Sequence, residues 1–288
     1  MVDISARLDA EGSPAALDEI ESLEMPDGTW VICDGAGCWL ARPHLSNAPA
    51  FSRHLLDPGN AAHTRQLLAG AMAAGGESRS SGPGRGPDLA GSLPQYIYEL
   101  ARVYRLTHAT PPIMRRAASR LRAMGDVATS RHLSQAADEE VGHDRLALKD
   151  LEELGIRAPE FVDDVRPRLA IEMLALVERL AAGPEPISVL GYVYAVERLS
   201  LFITQEQIDA IEALVPADAM ATRCLRVHSA VGTDPRHVTA AVDVIARLRA
   251  ADRISVCHAA FETMACITSP TEQPGDDAMQ ELMSRYRC

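Results

Sequence analysis

Aromatic residues are scarce in this sequence, 4% of 288, and basic residues are outnumbered. Lysines and arginines number 28 against 40 aspartates and glutamates, a formal net charge of −12. That balance leaves no basic surface for a polyanion, so no nucleic-acid partner is expected. No run of about 18 apolar residues is present, so neither a membrane-spanning helix nor a membrane partner is expected. The N-terminus, MVDISARLDAEG, is acidic and has no apolar stretch of the kind that directs secretion, which points to a cytoplasmic chain. Six irregularly spaced cysteines do not make a disulfide framework and suit a reducing compartment. Glycine motifs that cradle phosphates or dinucleotides are missing, as is the G-x-S-x-G nucleophile turn, so the nucleotide-dependent and hydrolase readings that rest on them have no support. The remainder is ordinary globular composition, 47% hydrophobic and 24% charged, with enough apolar material for one substantial core.

Residues 1–92 read as a small mixed extension. SPAALDEIESLEM (13–25) predicts a short helix, and NAAHTRQLLAGAMAA (60–74) another. Between them, TWVICDGAGCWLA (29–41) predicts two short strands about the turn Asp34-Gly35-Ala36-Gly37. GGESRSSGPGRGPDLAGS (75–92) has no periodicity and is crowded with Gly, Ser and Pro, which predicts a linker. From 93 to 288 the pattern is helix after helix. One helix spans 94–108 and is broken by Pro111-Pro112; another spans 113–124; a long one spans 127–154 and is closed by Gly155. A further helix over 160–182 is kinked or split at Pro167. The segment 187–203 is apolar on almost every face and should be buried centrally. Shorter helices fit 204–214, 218–231, 235–250, 253–267 and 276–287. The expected fold class is all-α, a helical bundle domain over 93–288 behind the mixed extension.

Three features carry candidate chemistry. Glu140 and His143 stand three residues apart, a spacing that lets a carboxylate and an imidazole on one helix face reach the same metal ion. A solvated helix face has the same spacing, and the flanking Glu139 and Asp144 suit solvent. Glu197 lies in the apolar segment around GYVYAVERLS, where a carboxylate is costly unless it is ion-paired or bound to a metal. Arg198 is a poor partner, because adjacent helical residues point in different directions. In VHSAVGTDPRHV, His228, Asp234 and His237 fall within ten residues. Asp234 also suits a plain N-cap, because Pro235 follows it as a first helical residue. Together Glu140, His143, Glu197, His228, Asp234 and His237 form a nitrogen and oxygen set without thiolate, which suits iron or manganese. Tyr194, three residues before Glu197, is a candidate hydrogen-bond donor behind the ligands. Cys33, Cys38 and His44 make at best a weak zinc pattern, and Cys224 sits one turn before His228.

EEVGHDRLALKDLEELG, GYVYAVERLS and VHSAVGTDPRHV, in that order and at intervals of 57 and 31 residues, resemble the haem-oxygenase-like di-iron oxidases. That group lies close to the thiaminase-II-like and pyrroloquinoline-quinone-synthesis proteins. The resemblance covers about 94–268 and leaves 1–92 without a family reading. It implies two iron ions held by the six residues above, dioxygen as co-substrate, and a small amino-acid-like or fatty-acid-like substrate. The reaction implied is N-oxygenation, oxidative decarboxylation or C–C cleavage in specialised biosynthesis; a homodimer is compatible with it. Three alternatives stay open: a metal-free thiaminase-like hydrolase with Cys224 as nucleophile, a cofactorless oxidase, and a non-enzymatic all-α interaction protein. Two departures from the family pattern matter. Asp234 is six residues from His228 rather than four, so His228 and His237 would face opposite sides of an unbroken helix. A break at 231–234 is therefore expected. In addition, Leu133 stands where some N-oxygenating members carry a further glutamate.

Overall fold

The computed structural model describes residues 20–34, 36–42, 55, 57, 59–79, 91–232, 235–269 and 274–288. Three short strands, β1 (Glu21–Glu24), β2 (Trp30–Cys33) and β3 (Cys38–Ala41), form an antiparallel sheet in that order. The β2–β3 hairpin is the one the sequence predicts, and the Asp34 carboxylate accepts from Ala36 N and Gly37 N in its turn. Residues 13–25 differ from the reading. Residues 13–19 lie outside the described residues, and 21–24 form a strand. Glu and Leu are good helix formers, but pairing with β2 buries Leu23 and decides the conformation.

The helices are α1 (Ala61–Arg79), α2 (Leu93–Ala123), α3 (Val127–Glu139), α4 (Asp144–Glu153), α5 (Ala158–Asp164) and α6 (Arg168–Ala182). A 3₁₀ turn at Pro186–Ser188 leads into α7 (Val189–Ser200). Then follow α8 (Gln205–Glu212), α9 (Arg223–Val227), α10 (Pro235–Ala246), α11 (Ala250–Ile267) and α12 (Asp276–Ser284). The predicted split at Pro167 separates α5 from α6. The predicted break at Pro111-Pro112 does not occur, and α2 runs unbroken through both prolines. Packing against α3, α4, α6 and α12 along its length holds the axis together where backbone bonds are lost. The linker reading over 75–92 also shifts. Residues 75–79 complete α1, and Gly75 lies so close to α11 that a Cβ would stand 2.2 Å from the Phe261 carbonyl oxygen. Residues 80–90 lie outside the described residues. Among the described residues no single helix is long and apolar enough to cross a membrane.

Two hydrophobic clusters make the interior. The larger joins the sheet (Leu23, Val31), α1 (Leu67, Leu68), the second half of α2 (Ile113, Met114) and the buried faces of α3, α6, α7, α10 and α11. The smaller joins the first half of α2 (Tyr96, Ile97, Leu100) to α4, α5, α8, α9 and Met283 of α12. Only α2 contributes a long stretch to both. At the crossing of α7 and α11 the backbones touch, and a Cβ on Gly191 would stand 2.1 Å from the Val256 carbonyl oxygen.

Candidate metal centre

The helix predicted over 127–154 is interrupted at the motif itself. α3 ends at Glu139 and Glu140 caps it. Gly142 takes φ +93°, a left-handed conformation that glycine adopts freely, and α4 starts after His143. Glu140 and His143 therefore meet across a turn, with His143 Nδ1 3.1 Å from Glu140 Oε2. His228 comes from the far side. It caps α9, and its Nδ1 lies 2.9 Å from the Cys224 carbonyl oxygen, which leaves Nε2 as the nitrogen that faces inward. Nε2 is buried, makes no hydrogen bond and stands 3.8 Å from Glu140 Oε2. The two imidazoles are edge-to-face with centroids 4.9 Å apart. Ligand atoms of Glu140, His143 and His228 all lie within 4.8 Å of one another. A carboxylate and two imidazoles converging on an unsatisfied nitrogen fit a divalent metal ion.

These groups line a cavity of about 480 Å³ whose wall draws on both hydrophobic clusters. Leu100, Val103, Leu106, Met173, Leu199 and Ile203 make much of its wall, and Glu139, Glu197 and His237 add to its polar lining. Burial alone would raise the Glu140 carboxyl, but the His143 and His228 imidazoles outweigh it and hold the group at about 2. Glu140 in turn holds the His143 imidazole above its ordinary range against the effect of burial. Glu197 behaves in the opposite sense: burial, and then the charges of Glu140 and Glu139, push it up to about 7.

The structure places His228 and His237 on the same cavity although they are nine residues apart, because no single helix connects them. The chain turns at 229–232, Ala230 N donates to the Ile203 carbonyl, and Gly232 packs so closely on the end of α9 that a Cβ would stand 2.3 Å from the Arg226 carbonyl oxygen. His237 Nδ1 is 3.6 Å from Glu139 Oε2 at a more exposed position. Asp234 lies outside the described residues. Tyr194 does not line the cavity. It is buried with Arg65 of α1, Arg198 and Cys257 of α11 as its electrostatic neighbours, which removes it from a role behind the ligands. Tyr192, hydrogen-bonded to Thr110, is the tyrosine of α7 within electrostatic range of Glu140. His132, too far along α3 to join His143, feels Glu139 and His237 instead, and burial lowers its pKa. Burial, and then the charges of Asp150 and Glu140, push the Cys224 thiol far above its usual range, which makes it a poor nucleophile.

The five-residue α9 is too short to hold His228 by itself. Asp150 of α4 does so from beneath. Fully buried, it accepts from Arg223 N at 3.2 Å and Cys224 N at 2.8 Å, and so caps α9 from outside. Tyr96 adds a hydrogen bond to the Ala221 carbonyl at 2.7 Å. Asp150→Ala is expected to cost about 3 kcal/mol, because it leaves two amides of a buried helix start without their charged acceptor. Urea unfolding measures the loss. Metal affinity should fall as well, and a variant with wild-type stability would show that α9 is held by other contacts.

A family model described as iron-containing redox enzyme matches residues 99–268, more than half of the chain and all six residues of the candidate ligand set. No curated protein and no solved structure matches the chain.

Proposed function

Because the chain belongs to the iron-containing redox enzymes of the haem-oxygenase-like superfamily, we propose that it is a non-haem di-iron oxidase acting on a small molecule. The observation that carries this reading is the buried, unbonded His228 Nε2 facing Glu140 and His143 in the wall of a largely apolar cavity. In this reading Glu140, His143 and His228 hold one iron. Glu197, His237 and Asp234 serve the second, with Glu139 beside His237. Iron supplies dioxygen activation when bound. The chain's own residues bind, orient and exclude water. The apolar wall takes the hydrocarbon part of an amino-acid-like or fatty-acid-like substrate. Arg102, paired with Glu99, is the one arginine in the lining among the described residues and offers a partner for a substrate carboxylate. The raised Cys224 thiol speaks against the thiaminase-like alternative.

The test is anaerobic Fe(II) loading of the purified chain, followed by metal analysis and oxygen uptake. About two irons per chain and uptake on addition of air are expected. One iron would reduce the reading to a mononuclear centre, and none would remove it.

Glu197 gives a pH signature. Its folded-state carboxyl is raised from 4.5 to about 7, so the folded metal-free chain holds this proton more tightly than the unfolded chain does. The associated stability is present below pH 4.5 and is lost as pH rises through about 7. With allowance for partial exposure the loss is roughly 2 kcal/mol. Glu197→Gln is expected to flatten that slope in thermal unfolding of the metal-free protein between these pH values. In the wild type, iron affinity should rise over the same interval, because a ligating Glu197 must release its proton. A slope unchanged in Glu197→Gln would assign it to another group.

A further inference from the structure

A second set of ligating side chains lies outside the cavity, where the N-terminal sheet meets α1. Glu21 of β1 and Cys33 of β2 are register partners, so their side chains share the inner face of the sheet. His63, in the first turn of α1, faces them. Ligand atoms of the three residues lie within 4.8 Å of one another, and all three residues are buried, His63 at 6% exposure and the others at 0%. His63 Nδ1 stands 3.2 Å from Glu21 Oε2, yet this buried nitrogen makes no hydrogen bond. A separation near 3.2 Å is close to the edge of a tetrahedron whose bonds to a central ion are about 2 Å. Arg253 of α11 donates to the other oxygen, Oε1, at 3.0 Å, which fixes the carboxylate with Oε2 turned towards His63. Cys33 is the cysteine the sequence already offered for zinc, but its partners are Glu21 and His63; His44 lies outside the described residues, and Cys38 is absent from the group.

We propose that Glu21, Cys33 and His63 bind a structural Zn²⁺ that fastens the N-terminal sheet to α1 and, through Arg253, to α11. Thiolate, imidazole and carboxylate together suit zinc, whereas the cavity's nitrogen and oxygen set suits iron. Binding exchanges the Cys33 thiol proton, released to water, for the metal–sulfur bond. Zinc, one thiolate and one carboxylate are neutral together, and Arg253 keeps its contact with Glu21 Oε1. The proposal does not depend on the iron reading. A plain buried ion pair of Glu21 and Arg253 beside a metal-free His63 is the competing account.

Co²⁺ separates the two accounts, because a cobalt–thiolate bond gives an intense sulfur-to-metal absorption that nitrogen and oxygen ligands lack. The full chain is stripped with a chelator and titrated with Co²⁺ alone. The absorption is expected to appear, to be bleached by Zn²⁺, and to be lost in Cys33→Ser. It should persist in Cys224→Ser and His228→Ala, which alter the cavity alone. Should Cys33→Ser not fold, His63→Gln is expected to weaken Co²⁺ binding at this site at least tenfold. The proposal is overturned by a wild type without the thiolate absorption, by absorption that survives Cys33→Ser, by absorption that disappears in Cys224→Ser, or by undiminished affinity in His63→Gln.

Discussion

Glu140→Ala is expected to abolish iron binding, and to do so more completely than any other single change in the cavity. Glu140 Oε2 faces both imidazoles, 3.1 Å from His143 Nδ1 and 3.8 Å from His228 Nε2. Glu139 precedes it on the chain but faces His237. Loss of an outer partner of a ligand typically costs 10–100-fold in affinity, and loss of this carboxylate should exceed about 100-fold. The metal-free protein should weaken too. The Glu140 carboxyl lies below its ordinary range when folded, at about 2 against 4.5, so its stabilising contribution is present above pH 4.5 and fades as pH falls towards 2. At neutral pH the alanine variant lacks that contribution, roughly 2 kcal/mol after discounting for partial exposure. Anaerobic Fe(II) titration and thermal unfolding read the two effects separately. Wild-type stoichiometry in a folded Glu140→Ala protein would show that the metal is held elsewhere.

Gly191→Ala is expected to be the most damaging substitution for the fold. The added methyl carbon would stand 2.1 Å from the Val256 carbonyl oxygen and 2.9 Å from both Ala259 Cβ and Ala260 N. Two of these three atoms are backbone of α11, so α7 must move away as a unit. Overpacking of a tight interior costs about 1–3 kcal/mol, and a backbone clash belongs at the upper end or beyond. Because α7 carries Glu197 into the cavity, the displacement should also raise the concentration of Fe(II) needed to load the two-iron centre proposed above. Urea unfolding with parallel iron titration checks both, and a variant within about 0.5 kcal/mol of wild type, the scale of ordinary surface changes, would mean that the crossing of α7 and α11 yields to a methyl group.

The helical bundle was legible because most of its helices are long and amphipathic, and apolar spacing carries that information directly. The misread elements share one cause. Pro111 and Pro112 look like a stop in isolation, but α2 is clamped on both sides of them by helices distant in sequence. Residues 21–24 have helix-forming side chains and become a strand because β2 offers them partners. The Glu140–His143 spacing does bring the two side chains together, but not on one helix face: the contact comes from a turn at Gly142, whose φ no periodicity reveals. The interval between His228 and Asp234 did announce a chain break, since a regular helix could not bring His228 and His237 to one cavity. The grouping of Glu21, Cys33 and His63 had no sequence signal, because strand register and the docking of α1 create it.

The division of the interior into two clusters joined by α2 has a consequence for how the molecule opens. Amides of α4, α5, α8 and α9 rest on the smaller cluster, and the cavity separates them from most of the larger one. In metal-free protein these four helices are expected to exchange their amide hydrogens as one cooperative unit, at a lower free energy than α1, α7 and α11. Iron held between Glu140 and His143 on one side and His228 on the other would tie the two units together, because a ligand that binds only the closed form raises the cost of opening it. Loading should therefore slow exchange in α4 and α9 far more than in α1, and the two exchange classes should merge as the centre fills.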